Sequence, residues 1–478
     1  MYWRQIKEKK LAHYAYLIGD EKSKEAILID PQRDIDRYIN IANKDGIKIV
    51  AVTETHIHAD YLSGLREFAE RGIVKIYASD EGDADWKYEW LINSDYNYQL
   101  LRDGDNISVG TLKLKVMHTP GHTPEHLVFL VSDENEKLNS RKGIVSGDFI
   151  FVGDVGRPDL LETAAGIENT MESSAESLFD SIQKFKVLPK ELYVWPGHGA
   201  GSACGKSLGT APESTVENEL KNNSAILAAT ESDKFVNYIL DGQPEPPSYF
   251  ARMKLENRMG PDILGSLPEP RELSPDEIED AFKDENVVII DLRDWESYKE
   301  SHLPDALFAQ SGNEFTNSIG SFVKKEQKIV LVINSDMVKD TVTDLIRIGL
   351  DNVAAFVTPE TMKDYVGSGG QVSSIDEIDV HDFRGISKNP DVFVLDVRKN
   401  SELKEIGFIP GASNIAHTRL LLSDEQLPKD KEIYVYCMGG ARGTSSTSYL
   451  KSKGYSVTHL KGGFQEWRDL SFEIEEFS

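Results

Sequence analysis

Residues 53–61 read TETHIHADY and follow the apolar run IKIVAV at 47–52. The run is short, β-branched and bounded by polar residues, so it reads as a strand. The loop leaving it carries His56, His58 and Asp60 in the spacing H-x-H-x-D. Three further apolar runs end in the same way. TLKLKVM (111–117) leads into HTPGHTPEH, with His118, His122 and His126; GIVSG (143–147) leads into Asp148; ELYVW (191–195) leads into PGH, with His198. Side chains at strand ends stand on a rigid sheet and can converge as a metal ion requires. A lone histidine is ordinarily a satisfied polar or core residue. Four strand-to-loop junctions that each carry imidazole or carboxylate point to a metal site.

Around these motifs the chain has 478 residues, enough for about three domains. Lys and Arg number 53 against 80 Asp and Glu, a net charge of −27, which argues against a nucleic-acid or acidic-membrane partner. A composition of 40% apolar and 28% charged residues is that of a globular chain. No apolar run is long enough to span a membrane, and MYWRQIKEKKLAHYAYLIGD at the start lacks a signal-peptide core. The two cysteines, Cys204 and Cys437, exclude a disulfide framework and a cysteine-built zinc site. The expected compartment is a reducing cytoplasm.

Strands such as AILID (26–30), KIYAS (75–79) and HLVFLV (126–131) alternate with helical stretches at 33–45 and 63–71, which predicts an α/β sandwich over 1–245. Seven of the 19 prolines fall between Pro244 and Pro275, so 246–271 reads as a Pro-rich wrap or linker. Beyond it the sequence repeats. VVIIDLRDWESY (287–298) matches VFVLDVRKNSEL (392–403), SHLPDALFA (301–309) matches GFIPGASNIA (407–416), and KIVLVIN (328–334) matches EIYVYC (432–437). Each copy, 272–372 and 380–478, is one small α/β domain, and an amphipathic helix follows the third segment in both. Asn334 is read at the place of Cys437.

Cys437 opens CMGGAR, between a strand and a helix. Such a turn can aim backbone N–H groups, those around Gly439 and Gly440, at the sulfur. Arg442 adds a fixed cation, and both favour a thiolate nucleophile. The other cysteine lies in the glycine-rich HGAGSACGKSLG (198–209), where Lys206 is expected to lower the thiol pKa of Cys204. Its rival reading is a flexible loop with an incidental cysteine. Arg157, in GDVGRPD (153–159), has two readings: a partner for a carboxylate or phosphate on a substrate, or a buried ion pair with Asp154 or Asp159.

The ordered series from His56 to His198 resembles the metallo-β-lactamase superfamily and implies an αββα sandwich. Two-metal members carry H-x-H-x-D-H, and here Tyr61 stands in place of the last histidine. That departure argues against a second metal. The sequence looks like the persulfide dioxygenases, which implies one Fe(II) per chain on His56, His122 and Asp148. His58, Asp60 and His198 would be outer groups orienting ligands and water, with Arg157 and Lys206 at the substrate rim. The 198–209 segment resembles the subgroup fused to sulfurtransferase domains, in which a cysteine at this place handles persulfide. Residues 380–478 look like a rhodanese domain, through Asp396–Arg398, Glu402, Ile409–Ala412 and Cys437 to Arg442, with Phe408 where rhodaneses usually have histidine. Residues 272–372 look like a second, catalytically inactive rhodanese fold.

The whole chain is thus similar to bacterial fusions of a persulfide dioxygenase with an inactive and an active rhodanese domain. The resemblance implies oxidation of a low-molecular-weight thiol persulfide by O2 to sulfite. It also implies sulfane-sulfur transfer through Cys437 to give thiosulfate, by a dimer or tetramer. Two rivals are a two-zinc thioesterase of the glyoxalase II type fused to sulfurtransferase domains, and a non-catalytic sulfur-delivery protein. Glutathione, coenzyme A and bacillithiol all stand as carriers.

Overall fold

Six strands build the first sheet in sequence order: β1 (Tyr2–Glu8), β2 (His13–Asp20), β3 (Glu25–Ile29), β4 (Lys48–Thr53), β5 (Lys75–Ser79) and β6 (Tyr98–Leu101). Strands β1 to β3 pair antiparallel and β3 to β6 parallel. A second sheet runs β7 (Asn106–Val109), β8 (Leu112–His118), β9 (Leu127–Asp133), β10 (Gly143–Gly147), β11 (Tyr193–Pro196) and β12 (Ser214–Thr215). The computed structural model describes residues 1–133, 142–163, 170–312 and 314–476.

Side-chain alternation along the strands sets the layers. Tyr14, Tyr16 and Ile18 of β2 and Ile27 and Ile29 of β3 meet Leu112, Leu114, Val116, Phe129 and Trp195 between the sheets. The intervening Ala15, Leu17, Ala26 and Leu28 face outward and cover Tyr38 and Ala42 of the helix Asp36–Lys44 and Phe68 of Leu65–Glu70. On the other side, Val128, Ile144 and Val194 pack on Leu178, Ile182 and Phe185 of Met171–Lys186 and on Phe235 and Ile239 of Ser232–Leu240. Burial on both faces explains why these strands read as unbroken apolar runs. The result is the αββα sandwich that the resemblance implied. Among the described residues no helix is long and apolar enough to cross a membrane.

The chain divides into two units, Met1–Gly265 with Arg347–Gly349, and Ser266–Ile346 with Leu350–Ser478. The stretch read as a linker is therefore corrected. Its first part holds the helix Phe250–Met259, whose Asn257 side chain donates to the carbonyls of His58 and Tyr61 at 2.8 Å and accepts from the Ser63 N–H at 2.8 Å. Pro246 and Pro247 stand just ahead of the helix, where a missing N–H breaks no helical bond.

In the second unit the repeat is explicit. One sheet has the order β13 (Arg271–Glu272), β17 (Val353–Val357), β16 (Lys328–Val332), β14 (Val287–Asp291), β15 (Leu307–Phe308). The other has β18 (Asp376–Ile378), β22 (Val457–Leu460), β21 (Glu432–Tyr436), β19 (Val392–Asp396), β20 (Ser413–Asn414), and all pairs in both are parallel. Asp396 receives a forked Arg398 guanidinium, which also donates to the Gly407 carbonyl at 2.8 Å. Asp291 receives Arg293, which donates to the Ser301 carbonyl at 2.7 Å. Register corrects one expectation. Asp291 pairs with Val332 as Asp396 pairs with Tyr436, so buried Ile333, and not Asn334, occupies the place of Cys437.

Asp396 and Arg398 are both wholly buried, so removing the carboxylate strands a guanidinium in the core. Asp396→Ala is expected to lower the stability of the second unit by about 3–5 kcal/mol, read as an earlier midpoint in urea unfolding followed by far-UV circular dichroism.

Candidate functional site

His56, His122 and Asp148, all buried, bring their ligand atoms within 4.8 Å of one another. Asp148 Oδ2 lies 3.9 Å from His56 Nε2 and 3.6 Å from His122 Nε2. Each histidine is anchored by its other nitrogen. His122 Nδ1 donates to the Arg157 carbonyl at 2.9 Å, and His56 Nδ1 contacts Thr55 Oγ1 at 2.9 Å. The Thr55 hydroxyl itself donates to Asp30 Oδ2, so it accepts from His56 and leaves Nε2 with its lone pair. Burial depresses both histidines and keeps them neutral. Burial would raise Asp148, but His198 beside it holds it well below the usual carboxylate range. Two neutral imidazoles and one carboxylate are thus in the protonation states that metal ligation needs.

Backbone geometry at the strand ends makes this convergence possible. Gly147 ends β10 at φ +51, and a Cβ there would lie 2.5 Å from Thr55 Oγ1. A Cβ on Gly197 would lie 2.5 Å from Asp148 Oδ1. His198 therefore reaches in beside Asp148. Its Nδ1 lies 2.8 Å from Asp148 Oδ1 and its Nε2 2.9 Å from Asp60 Oδ2. Burial alone would depress His198, yet the two carboxylates raise it well above the ordinary histidine value.

A metal fits this donor set. Asp148 Oδ2 is buried without a hydrogen-bond partner, and ion–ligand bonds of about 2.1 Å join donor atoms roughly 3–4 Å apart. Asp60, His198 and Cys204 also lie close enough to hold an ion, but both His198 nitrogens are already engaged by carboxylates. Tyr61, in the place of the last histidine of H-x-H-x-D-H, turns its hydroxyl to His13 Nε2 at 2.9 Å, and His58 Nε2 lies 3.3 Å from Asp30 Oδ1.

One of the two readings of Arg157 is met, and two expectations change. Arg157 is buried with both its Nε and Nη2 on Asp159, at 2.8 and 2.6 Å, so it is a structural ion pair and does not face a substrate. The Lys206 ammonium donates to the Tyr238 and Asp241 carbonyls at 2.8 and 2.5 Å, away from the cysteine. Burial and the carboxylates of Asp148 and Asp60 push the Cys204 thiol up rather than down. His118 and His126 are structural. The first contacts the Pro124 carbonyl at 2.7 Å, and the second accepts from the Asp148 N–H at 3.2 Å. Asp30 and His13 went unnoticed in the sequence. Asp30 ends β3 as Asp148 ends β10, so the strand-end criterion applied to AILID finds it.

In the second unit Cys437 leaves β21 just before the helix Ala441–Ser452, and the Gly440 N–H donates to its Sγ at 3.1 Å. Of the two glycines it is Gly440 that reaches the sulfur. Arg442 forks onto both Glu402 oxygens and lies within electrostatic reach of Cys437.

The chain is similar to known proteins in both units. The metallo-beta-lactamase superfamily matches residues 9–198, and the rhodanese-like domain matches 274–357 and 379–470. Persulfide dioxygenase ETHE1, mitochondrial, of Bos taurus is 30% identical over 200 residues, which is 41% of this chain and 67% of that protein. The chain belongs to the metallo-β-lactamase superfamily and carries rhodanese-like domains. Within the superfamily it is also 31% identical to the hydroxyacylglutathione hydrolase of Dictyostelium discoideum, over 51% of this chain and 81% of that protein. A crystal structure of a metallo-beta-lactamase from Staphylococcus aureus subsp. aureus COL is 37% identical, with a TM-score of 0.67, and covers 75% of this chain and 99% of its own.

His198 holds Asp148 from the side opposite the two imidazoles. His198→Ala is expected to weaken metal binding about 10–100-fold, measured by competition against a chromophoric chelator, while His118→Ala binds as the unaltered protein does.

Proposed function

We propose that the first unit is a mononuclear, iron-dependent persulfide dioxygenase and the second a sulfurtransferase acting through Cys437. The observation that carries the reading is that, of two candidate donor groups among the described residues, the triad His56, His122 and Asp148 turns its donor atoms to one another. With both His198 nitrogens on carboxylates and Tyr61 on His13, the residues favour one ion. Two imidazoles and a carboxylate suit Fe(II), which when bound supplies a redox-active Lewis acid with open positions for persulfide and dioxygen. The similarity to the bovine protein named persulfide dioxygenase supports that choice.

The chain's own residues prepare the site. Thr55 and the Arg157 carbonyl fix the two rings, and His198 with Asp60 holds Asp148 ionised in a buried setting. Buried Phe151 lies edge-on to the His198 ring, with centroids 6.2 Å apart. Per persulfide, one O2 and one water are consumed, and one thiol and one sulfite leave with two protons. At the second site the Cys437 thiolate attacks the outer sulfur of a thiol persulfide, and the free thiol departs. The sulfur lone pair of sulfite then attacks the outer sulfur of the Cys437 persulfide. That S–S bond breaks with its electrons returning to Sγ, and thiosulfate leaves. The Gly440 N–H and the Arg442 charge stabilise the sulfur anion at both stages. The carrier is a small thiol such as glutathione, coenzyme A or bacillithiol.

A second reading is a two-zinc thioesterase, which the similarity to hydroxyacylglutathione hydrolase favours. Metal analysis and an oxygen electrode separate the two. The dioxygenase reading expects about one iron per chain, little zinc, and oxygen uptake with persulfide. Two zinc ions and no oxygen uptake would overturn it. In the same assay Cys437→Ser is expected to abolish thiosulfate while oxygen uptake and sulfite release persist.

A further inference from the structure

The loop that carries the H-x-H-x-D motif is clamped by the stretch that the prolines mark as a linker. Tyr249 Oη donates to the Asp60 carbonyl at 3.3 Å. The Asn257 amide nitrogen donates to the His58 and Tyr61 carbonyls, both at 2.8 Å, and its oxygen accepts from the Ser63 N–H at 2.8 Å. Two carbonyls and one N–H admit a single orientation of that amide, so the partners themselves say which end is nitrogen. Both residues are buried. Tyr249 stands just before the helix Phe250–Met259, and the buried residues of that helix, Phe250, Met253 and Asn257, recur at the spacing of one face. Beyond the helix the chain stays fastened. Arg66 donates to the Gly260 and Pro261 carbonyls at 2.8 Å each, and Glu67 accepts from the Leu264 N–H at 2.6 Å.

Bonds to the carbonyls of His58, Asp60 and Tyr61 fix the path of the loop, and with it the direction in which the Asp60 side chain leaves the backbone. Asp60 Oδ2 lies 2.9 Å from His198 Nε2, and His198 Nδ1 lies 2.8 Å from Asp148 Oδ1. A path of direct contacts therefore runs from Asn257 and Tyr249, through Asp60 and His198, to the carboxylate of the metal triad. The superfamily match ends at His198, so the helix lies outside the part of the chain that the match covers.

We propose that Asn257 and Tyr249 are positioning residues of the metal site, which set the reach of Asp60 to His198 and through it the affinity of the triad for its ion. The inference rests on the metal reading of His56, His122 and Asp148 above, not on which ion they hold. A loosened loop leaves His198 with a more distant partner. Asp148 then presents its oxygens less firmly, and the ion is weakened although every ligand is still present. A residue that only stabilised the fold would act on unfolding and leave the bound ion unchanged.

The test uses the full chain, cobalt(II) as the probe ion and a chromophoric chelator as competitor. Asn257→Leu keeps the shape of the side chain and removes all three hydrogen bonds. It is expected to weaken cobalt binding roughly five- to tenfold and to shift the visible absorption of the bound cobalt. Tyr249→Phe removes only the hydroxyl and is expected to weaken binding about threefold; it carries the test if Asn257→Leu does not fold. Leu255→Ala, on the exposed side of the same helix, binds as the unaltered protein does. A double-mutant cycle with Asp60→Asn then separates positioning from general support. With Asp60 already changed, either substitution is expected to weaken cobalt binding by less than about a further 1.5-fold. Losses that multiply in the double variants, or an earlier unfolding midpoint with cobalt affinity unchanged, would overturn the inference while leaving the triad as the metal site. If the unaltered protein takes up no cobalt, the metal reading and this inference fall together.

Discussion

The first unit depends on one buried carboxylate. Asp148 is wholly enclosed, and an isolated carboxylate in such surroundings would take up a proton. It stays ionised because His198, held charged by two carboxylates, approaches one oxygen, while two neutral imidazoles face the other. His198 is in turn held by Asp60, so the H-x-H-x-D loop and the PGH loop are tied across the sandwich by a carboxylate–imidazole–carboxylate chain. Asp30 repeats the arrangement one layer back, joining Thr55 and His58. Such a network costs desolvation at each group and is stable only when nearly every lone pair is met. The oxygen left unmet is the one that points at the two free imidazole nitrogens, where a cation completes it.

Much of this was legible in the sequence, because strand ends and chemistry-bearing residues are both local signals. The strands KIYAS and GIVSG are β5 and β10 residue for residue. The triad and the Cys437 turn were readable for the same reason. What stayed hidden was set by direction and distance along the chain. Arg157 and Asp159 are two residues apart, and only the backbone bend between them decides that the guanidinium folds back instead of reaching out. Lys206 sits two residues from Cys204, yet its long side chain runs to carbonyls more than thirty residues on. The helix Phe250–Met259 was masked by prolines on both sides, which mark its ends and not its absence.

The second unit shows what the cysteine-less repeat covers. The helix Ala441–Ser452 is buried without a break from Gly443 to Leu450, although its sequence is rich in serine and threonine. An amphipathic helix with one wet face was expected, and the first repeat covers that face. The hydroxyls tolerate burial by folding back: Thr447 donates to the Gly443 carbonyl at 2.8 Å and Ser448 to that of Ser445 at 2.8 Å. Their small size lets the first repeat approach closely. Glu377 fixes the approach by accepting from Trp295 at 2.7 Å and Lys299 at 2.6 Å while contacting His459 Nδ1 at 3.0 Å. Without that cover, the helix whose first turn presents the Gly440 N–H to Cys437 would expose a wide, weakly polar face. The Asp291–Arg293 fork matches the Asp396–Arg398 fork, although no cysteine follows β16 as Cys437 follows β21. Retention of the fold without the loop is what a partner of that helix requires, since packing reads shape and not the identity of Ile333.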